Sequence, residues 1–429
     1  MIIITVPPEK FSGTVAVPGD KSITHRAIML GSISRGMTEV KGYLDAEDCL
    51  STIRCMQMLG VRITARGNKL LIDGLGMDLK QPRGPLDAGN SGTTARLLMG
   101  ILAGQKFKTM LTGDQSLQKR PMKRVADPLC SMGAVVDSED GGESLPMSIE
   151  GGNLQAIEYK SPRASAQVKS AILLAGLYAE GTTTVEEPYL SRNHSELMLE
   201  RFDAGIQIQS ADCRVTLRGG QNLRGTRVQV PGDISAAAFI MAAAAIIPDA
   251  EVHIKNVGVN PTRSGIIEVL QKMGASVELQ DCRHWGNEPV ADVAVRGGSR
   301  LKGISIEGDI IPRLIDEIPV IAVVAAVAEG KTLISGAAEL RVKEADRISE
   351  LSGQLEKIGV DISETSDGMI IEGGKELKGA EVESCGDHRI AMALAVAGLV
   401  AEGETAIHNA EVINISFPGF MPTIRSLIT

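Results

Sequence analysis

At 429 residues the chain is longer than one hydrophobic core ordinarily serves, which points to two domains of about 200 residues each. A net charge of −9 and only 3% aromatic residues argue against nucleic-acid binding, because polyanions are repelled and few rings can stack on bases. Six cysteines, at 49, 55, 130, 213, 282 and 385, form no CxxC pair and have no histidine at zinc spacing. They read as reduced, packed thiols, so neither a metal centre nor a disulfide is expected.

The N-terminal stretch MIIITVPPEKFSG lacks the basic flank and long apolar segment of a signal peptide. The longest apolar run, 234–247, is too short to span a bilayer. A cytoplasmic protein that does not enter the membrane is expected. VPGDKS at 17–22 ends a predicted strand and opens a helix, and it returns as VPGDIS at 230–235. These two turns read as the crossings between domains, giving one domain over 19–231 and another from 1–18 plus 232–429.

Within and across those domains one phrase recurs, a helix ending in glycine and followed by a strand. It reads MQMLGVRI, LCSMGAVV, RFDAGIQI, LQKMGASV and LEKIGVDI, with Gly60, Gly133, Gly205, Gly274 and Gly359 expected at positive φ just past each helix. A second phrase, as in VIAVVAAVAEGKTLISGA, joins a small-residue helix to a short strand through a charged glycine turn. Together they describe a βαβαββ-like unit of about 70 residues, written six times, with the last copy shortened near 421–428. Helices so rich in alanine and glycine can approach closely. The expected fold is therefore mixed α/β, with two similar three-unit domains, helices inside and sheets outside.

Several helix starts carry cations, although a helix N-terminus is already partly positive. In PGDKSITHRAIML, Asp20 can cap, Lys21 falls in the first turn, and Ser22 and Arg26 share a face. Ser91 and Thr93 open NSGTTARLL, while Ser165 and Gln167 open the helix of SPRASAQVKSAILL. Arg389 sits in the first turn of GDHRIAMALAVAGL. One such cation costs only a few tenths of a kcal/mol. Their recurrence points to bound anions, because phosphate or carboxylate at a helix start relieves the repulsion. The loop TGDQSLQKRPM offers Lys119 and Arg120. LRVKEADRI places Lys343 four residues before Arg347, with Glu344 between them, and taken alone it reads as a solvated, salt-bridged helix face. Asp316, in RLIDEIPVIAVVAAVA, stands before a strongly apolar helix, either as an ordinary helix-start acid or as a general base tuned by burial and neighbouring cations.

These stretches, with LDAGNSGTTARLL, SRNHSE, IDEIP and SFPGF, run in one order from 18 to 420. Jointly they resemble the EPSP synthases (3-phosphoshikimate 1-carboxyvinyltransferases) of the enolpyruvyl transferase family. The resemblance implies a two-domain fold closing over its substrates, no cofactor and a monomer. It places shikimate 3-phosphate on Lys21, Ser22, Arg26, Ser165, Gln167, Arg192, Asp316 and Lys343. It places phosphoenolpyruvate on Lys21, Gly92, Arg120, Gln167, Arg347 and Arg389. Asp316, Glu344 and Lys21 become the catalytic groups of an addition–elimination, and glyphosate becomes the expected inhibitor.

Three positions depart from the pattern: Ile415 where some members have lysine, Ala166 where others have a second serine, and Glu339 where some have asparagine. The sister enzyme acting on UDP-N-acetylglucosamine usually carries a cysteine in the loop matching TGDQSLQKRPM, and no cysteine occurs in that loop. A non-catalytic receptor for a phosphorylated metabolite would have no need of the acid pair Asp316 and Glu344.

Overall fold

The structure, a computed structural model, describes residues 1–428. The chain divides into two compact units, one of Gly19–Val230 with Trp285–Glu288, the other of Met1–Pro18, Pro231–His284 and Pro289–Thr429.

The unit beginning at Gly19 holds three four-stranded sheets and six α-helices. Each sheet follows one plan, a short edge strand parallel to the strand that follows an apolar helix, then a hairpin. In the first, Arg227–Gln229 lies parallel to Arg35–Lys41, which pairs antiparallel with Lys69–Leu75 and through it with Arg62–Arg66. Leu86–Asp87 and Glu158–Lys160 are the edge strands of the other two. The apolar helices are α1 (Lys21–Ile33), α3 (Gly92–Ala103) and α5 (Ala166–Gly176), which precede the parallel strands and are buried almost throughout. Helices α2 (Glu47–Met58), α4 (Lys123–Ser131) and α6 (His194–Arg201) bury only part of their length. Small residues permit the close inner packing: a Cβ at Gly100 on α3 would stand 2.2 Å from the Ala171 carbonyl oxygen on α5.

The other unit repeats the plan. Its inner helices are α7 (Ile234–Ile246), every residue of which is buried, α10 (Ile318–Val327) and α12 (His388–Ala397). Its outer helices are α8 (Gly265–Lys272), α11 (Arg347–Lys357) and α13 (Phe420–Leu427), and the short α9 (Ile311–Leu314) leads into α10. Two sheets have four strands, and the third has three. Two strands reach these sheets from the start of the chain. Ser12–Ala16 pairs parallel with Glu251–Gly258, and Ile3–Thr5 pairs antiparallel with Thr405–His408. The shortened sixth copy thus takes its third strand from the opposite end of the sequence. Among the described residues no helix is long and apolar enough to cross a membrane.

The recurring glycines need one correction. Gly60, Gly133, Gly274 and Gly359 have φ between 92 and 106°, but in the third copy the left-handed residue is Asp203, at φ 64°. α6 ends at Arg201 and Phe202 caps it, so the residue past the cap is Asp203, two positions before Gly205. Aspartate is among the few L-residues that tolerate this region. The backbone of Gly205 is instead held by Gln221, whose Oε1 accepts its N–H at 2.5 Å.

Candidate active site

In the Gly19 unit, the candidate residues gather at the starts of α1, α3 and α5. Asp20 begins α1 by accepting the Ile23 N–H at 2.8 Å. Lys21 follows and donates to Asp48 Oδ2 at 3.0 Å. One turn on, Arg26 is only 4% exposed. Its Nε donates to Ser195 Oγ (2.6 Å), its Nη2 to Ser170 Oγ (2.8 Å) and its Nη1 to the Ser22 carbonyl (3.0 Å). Burial pulls the Arg26 guanidinium down to about 10, with Glu196 opposing and Arg192 adding to the fall, so it remains charged at neutral pH. That influence places Arg192, just before the Asn193 cap of α6, within electrostatic reach of Arg26.

Ser165 caps α5, and its own N–H donates to Glu187 Oε1 at 2.7 Å. In the first turn of α5, Gln167 Nε2 donates to Thr93 Oγ1 (3.1 Å), while its Oε1 accepts from Arg96 Nη1 (2.8 Å). Arg120, 7% exposed, donates to Asn90 Oδ1 at 2.7 Å. Lys119, its neighbour, is exposed. Gly92 opens α3 beneath both arginines: a Cβ there would lie 2.9 Å from Arg96 Nη1 and 3.4 Å from Arg120 Nη1. Glycine lets two guanidinium groups approach one helix start.

The other unit builds a second cluster around Arg347. Asp387 caps α12, its Oδ1 accepting the Arg389 N–H at 2.8 Å. The other oxygen of Asp387 accepts from Arg347 Nε at 2.7 Å. Arg347 also donates through Nη2 to Glu344 Oε2 (2.6 Å) and through Nη1 to Asp316 Oδ1 (3.3 Å). Asp316 lies in the turn between α9 and α10, 9% exposed, with Lys343 Nζ 3.6 Å from its Oδ1. Arg389 Nη1 donates to the Asp316 carbonyl at 2.8 Å and lies 3.7 Å from Glu317 Oε1. Burial works against the Arg347 charge, but Asp387, Glu344 and Asp316 together raise its affinity for the proton above the ordinary arginine value. Lys343 goes the other way: burial lowers it, and Asp316 and Glu339 only partly restore it.

Two readings of the sequence change here. Lys343 and Arg347 do not share a solvated helix face. Ala338–Val342 is a 3₁₀ turn, Lys343 is extended, and α11 starts at Arg347 behind the Asp346 cap. Arg347 is 1% exposed, which its three carboxylate neighbours make tolerable. The cations at helix starts are also matched by the protein's own acids, Lys21 by Asp48 and Arg347 by Asp387. At those two helix starts a bound anion is not needed to relieve repulsion, and a ligand there must compete with a carboxylate already in place.

The residues missed from the sequence are the partners. Arg96 stands in the quoted NSGTTARLL, four residues after Gly92, a spacing that puts both on one helix face. Asp387 stands two residues before Arg389 in GDHRI, but its grip on Arg347, forty residues away, has no local signal. Asp48, Glu187 and Glu196 likewise meet their partners only through tertiary folding.

The sequence family described as EPSP synthase (3-phosphoshikimate 1-carboxyvinyltransferase) matches residues 6–424. The 3-phosphoshikimate 1-carboxyvinyltransferase of Thermoanaerobacter sp. strain X514 is 55% identical over 425 residues, covering 99% of this chain and all of that one. The enzyme of that name from Desulforamulus reducens is 52% identical over 430 residues, covering both chains in full. Among solved structures, EPSP synthase from Acinetobacter baumannii superposes with a TM-score of 0.88 at 46% identity, covering 100% of this chain and 98% of that chain.

Proposed function

The chain belongs to the EPSP synthase family, and on that premise we propose how it moves the enolpyruvyl group of phosphoenolpyruvate onto the 5-hydroxyl of shikimate 3-phosphate. The products are 5-enolpyruvylshikimate 3-phosphate and phosphate, on the route to chorismate and the aromatic amino acids.

The observation that carries the assignment is the Arg347 cluster, where two acids, Asp316 and Glu344, share one buried guanidinium. Lys21, Ser22, Arg26, Ser165, Gln167, Arg192, Asp316 and Lys343 hold shikimate 3-phosphate. Lys21, Gly92, Arg120, Gln167, Arg347 and Arg389 hold phosphoenolpyruvate. Arginine's planar fork suits this task, because it can exchange one carboxylate for another without losing donors. The phosphoenolpyruvate carboxylate takes over a donor of Arg347, which frees the Glu344 carboxylate to take up a proton from solvent and then act as an acid.

Asp316 removes the proton of the acceptor hydroxyl, whose oxygen bonds to C2 of phosphoenolpyruvate. Glu344 delivers a proton to C3, completing a tetrahedral intermediate. Return of a C3 proton to the protein and cleavage of the C2–O bond to phosphate restore the double bond, now in the product. Lys21 stabilises charge on both ligands. Acid–base help of this kind is worth about 10²–10⁴-fold, and positioning and electrostatics supply the remainder.

The proposal includes a monomer, as the family resemblance implies. The free thiols Cys49, Cys55, Cys130, Cys213, Cys282 and Cys385 support a reducing, cytoplasmic setting. Purified protein given both substrates should release one phosphate per enolpyruvyl ether formed, read by phosphate assay and mass spectrometry. Glyphosate, the inhibitor expected at the phosphoenolpyruvate site, should compete with phosphoenolpyruvate. Binding of both substrates without phosphate release would overturn the enzymatic reading, and unchanged turnover at millimolar glyphosate the inhibitor assignment.

A further inference from the structure

Behind the Arg26 group lies a buried ion triad that is itself assigned to neither ligand. Lys169, on α5, is 2% exposed and lies 2.8 Å from Glu187 Oε2 and 2.7 Å from Glu196 Oε1, each acid being 1% exposed. Burial works against the Lys169 charge, but its two acid neighbours raise its proton affinity, so the lysine is charged between them. Three buried charges impose a desolvation cost that apolar residues of similar volume would avoid. Their contacts give a reason for keeping them.

Glu187 joins two segments. Its Oε1 accepts the Ser165 N–H at 2.7 Å, and its Oε2 accepts the Ser191 hydroxyl at 2.6 Å, next to Arg192. At the other end of Lys169, Glu196 follows Ser195, which accepts Arg26 Nε at 2.6 Å, and Glu196 is the strongest counter-charge on Arg26. One chain of contacts therefore runs from Ser165 through Glu187, Lys169 and Glu196 towards Arg26. It ties together the α5 start, the segment bearing Arg192, and Arg26. All three carry groups assigned above to shikimate 3-phosphate.

We propose that Glu187 is a positioning residue for acceptor specificity: with Lys169 and Glu196 it fixes the spacing of Ser165, Arg192 and Arg26 to suit one phosphorylated acceptor. This rests on the functional reading above. An acceptor site so held is pre-organised, and binding then loses little freedom of loops and side chains. Glu187→Gln keeps the volume and one acceptor oxygen but turns an amide NH₂ group either on the Ser165 N–H or on Lys169 and Ser191, which breaks the chain of contacts.

The test compares wild type and Glu187→Gln by shikimate 3-phosphate calorimetry and by steady-state phosphate release. The expected result is an acceptor Kd and KM raised about tenfold or more, as for loss of a hydrogen bond to a charged group. The kcat and the phosphoenolpyruvate KM should stay within about twofold, well below that effect. A merely structural role would lower the melting temperature and the active fraction while leaving both KM values unchanged, and that result overturns the proposal. Should Glu187→Gln not fold, Ser191→Ala decides: a rise of about threefold or more in acceptor KM supports the proposal, in line with one lost neutral hydrogen bond, and an unchanged KM overturns it. Wild type that binds the acceptor but releases no phosphate sinks the enzymatic reading alone, because the calorimetric ratio still tests Glu187.

Discussion

The two clusters hold their arginines by different means. In the Gly19 unit, Arg26, Arg96 and Arg120 donate to neutral groups: Ser195, Ser170, Gln167 and Asn90. In the other unit, Arg347 donates to three carboxylates. Neutral partners fix a guanidinium in place while leaving most of its charge for a ligand. Carboxylate partners cancel the charge, so an incoming anion must displace one of them, and the displaced group becomes available for proton transfer. The first arrangement suits recognition and the second suits chemistry.

The largest effect should come from the chemical cluster. Asp316→Asn is expected to lower kcat by about 10²–10⁴-fold while shikimate 3-phosphate still binds, and wild-type kcat in that variant would remove Asp316 as the base. Stability separates the clusters next. Arg347→Ala leaves Asp387, fully buried, without its guanidinium and should cost about 3–5 kcal/mol in urea unfolding. Arg26→Ala strands mainly hydroxyl acceptors and should cost about 1–3 kcal/mol. Equal losses would end the contrast drawn here.

Among recognition residues, Arg120→Ala should raise the phosphoenolpyruvate KM by about tenfold or more and leave the acceptor KM alone. A shift confined to the acceptor would reassign Arg120. Gly92→Ala should act more gently in the same direction, because its Cβ would crowd the movable tips of Arg96 and Arg120 and meet Leu117 only at an ordinary contact of 3.7 Å. Its phosphoenolpyruvate KM should rise a few-fold, and an unchanged value would mean that those tips are not ligand contacts.

The smallest effect is a pH signature. Lys343 is depressed below the ordinary lysine value, so it loses its proton, and with it the hold on the acceptor proposed for it, at lower pH than a surface lysine. Acceptor affinity should fall on the alkaline side in wild type. Arginine keeps its charge there, so the fall should be absent in Lys343→Arg. The sign for stability is opposite. A lysine whose folded value is depressed opposes folding while charged, and that penalty fades as pH rises towards the unfolded lysine value.

The fold was legible because it is written repeatedly. The phrase of helix, turn and strand recurs with little change, and the alanine-rich helices announce their own burial. The site was legible in its parts where a residue's role is local: Asp20 and Ser165 each cap a helix that the sequence marks. What stayed hidden was pairing. Whether Arg347 faces water or Asp387 depends on two helices meeting, and a charged i,i+4 pattern reads identically in either case. Asp203 was hidden for another reason. A glycine two residues further along offered a better match to the expected cap, and only the end of α6 at Arg201 shows which residue takes the left-handed turn.

The placement of the first strands bears on how the protein is made. The Gly19 unit closes its opening sheet with Arg227–Gln229, a strand from within its own stretch of chain. The strand Ile3–Thr5, by contrast, leaves the ribosome long before its partner, Thr405–His408, and must wait for it. Until then it presents an unsatisfied backbone edge, open to mispairing with a neighbouring nascent chain. Assembly is therefore vectorial for one half of the molecule and deferred for the other, and a bulky tag fused to Met1 would burden the half that finishes late.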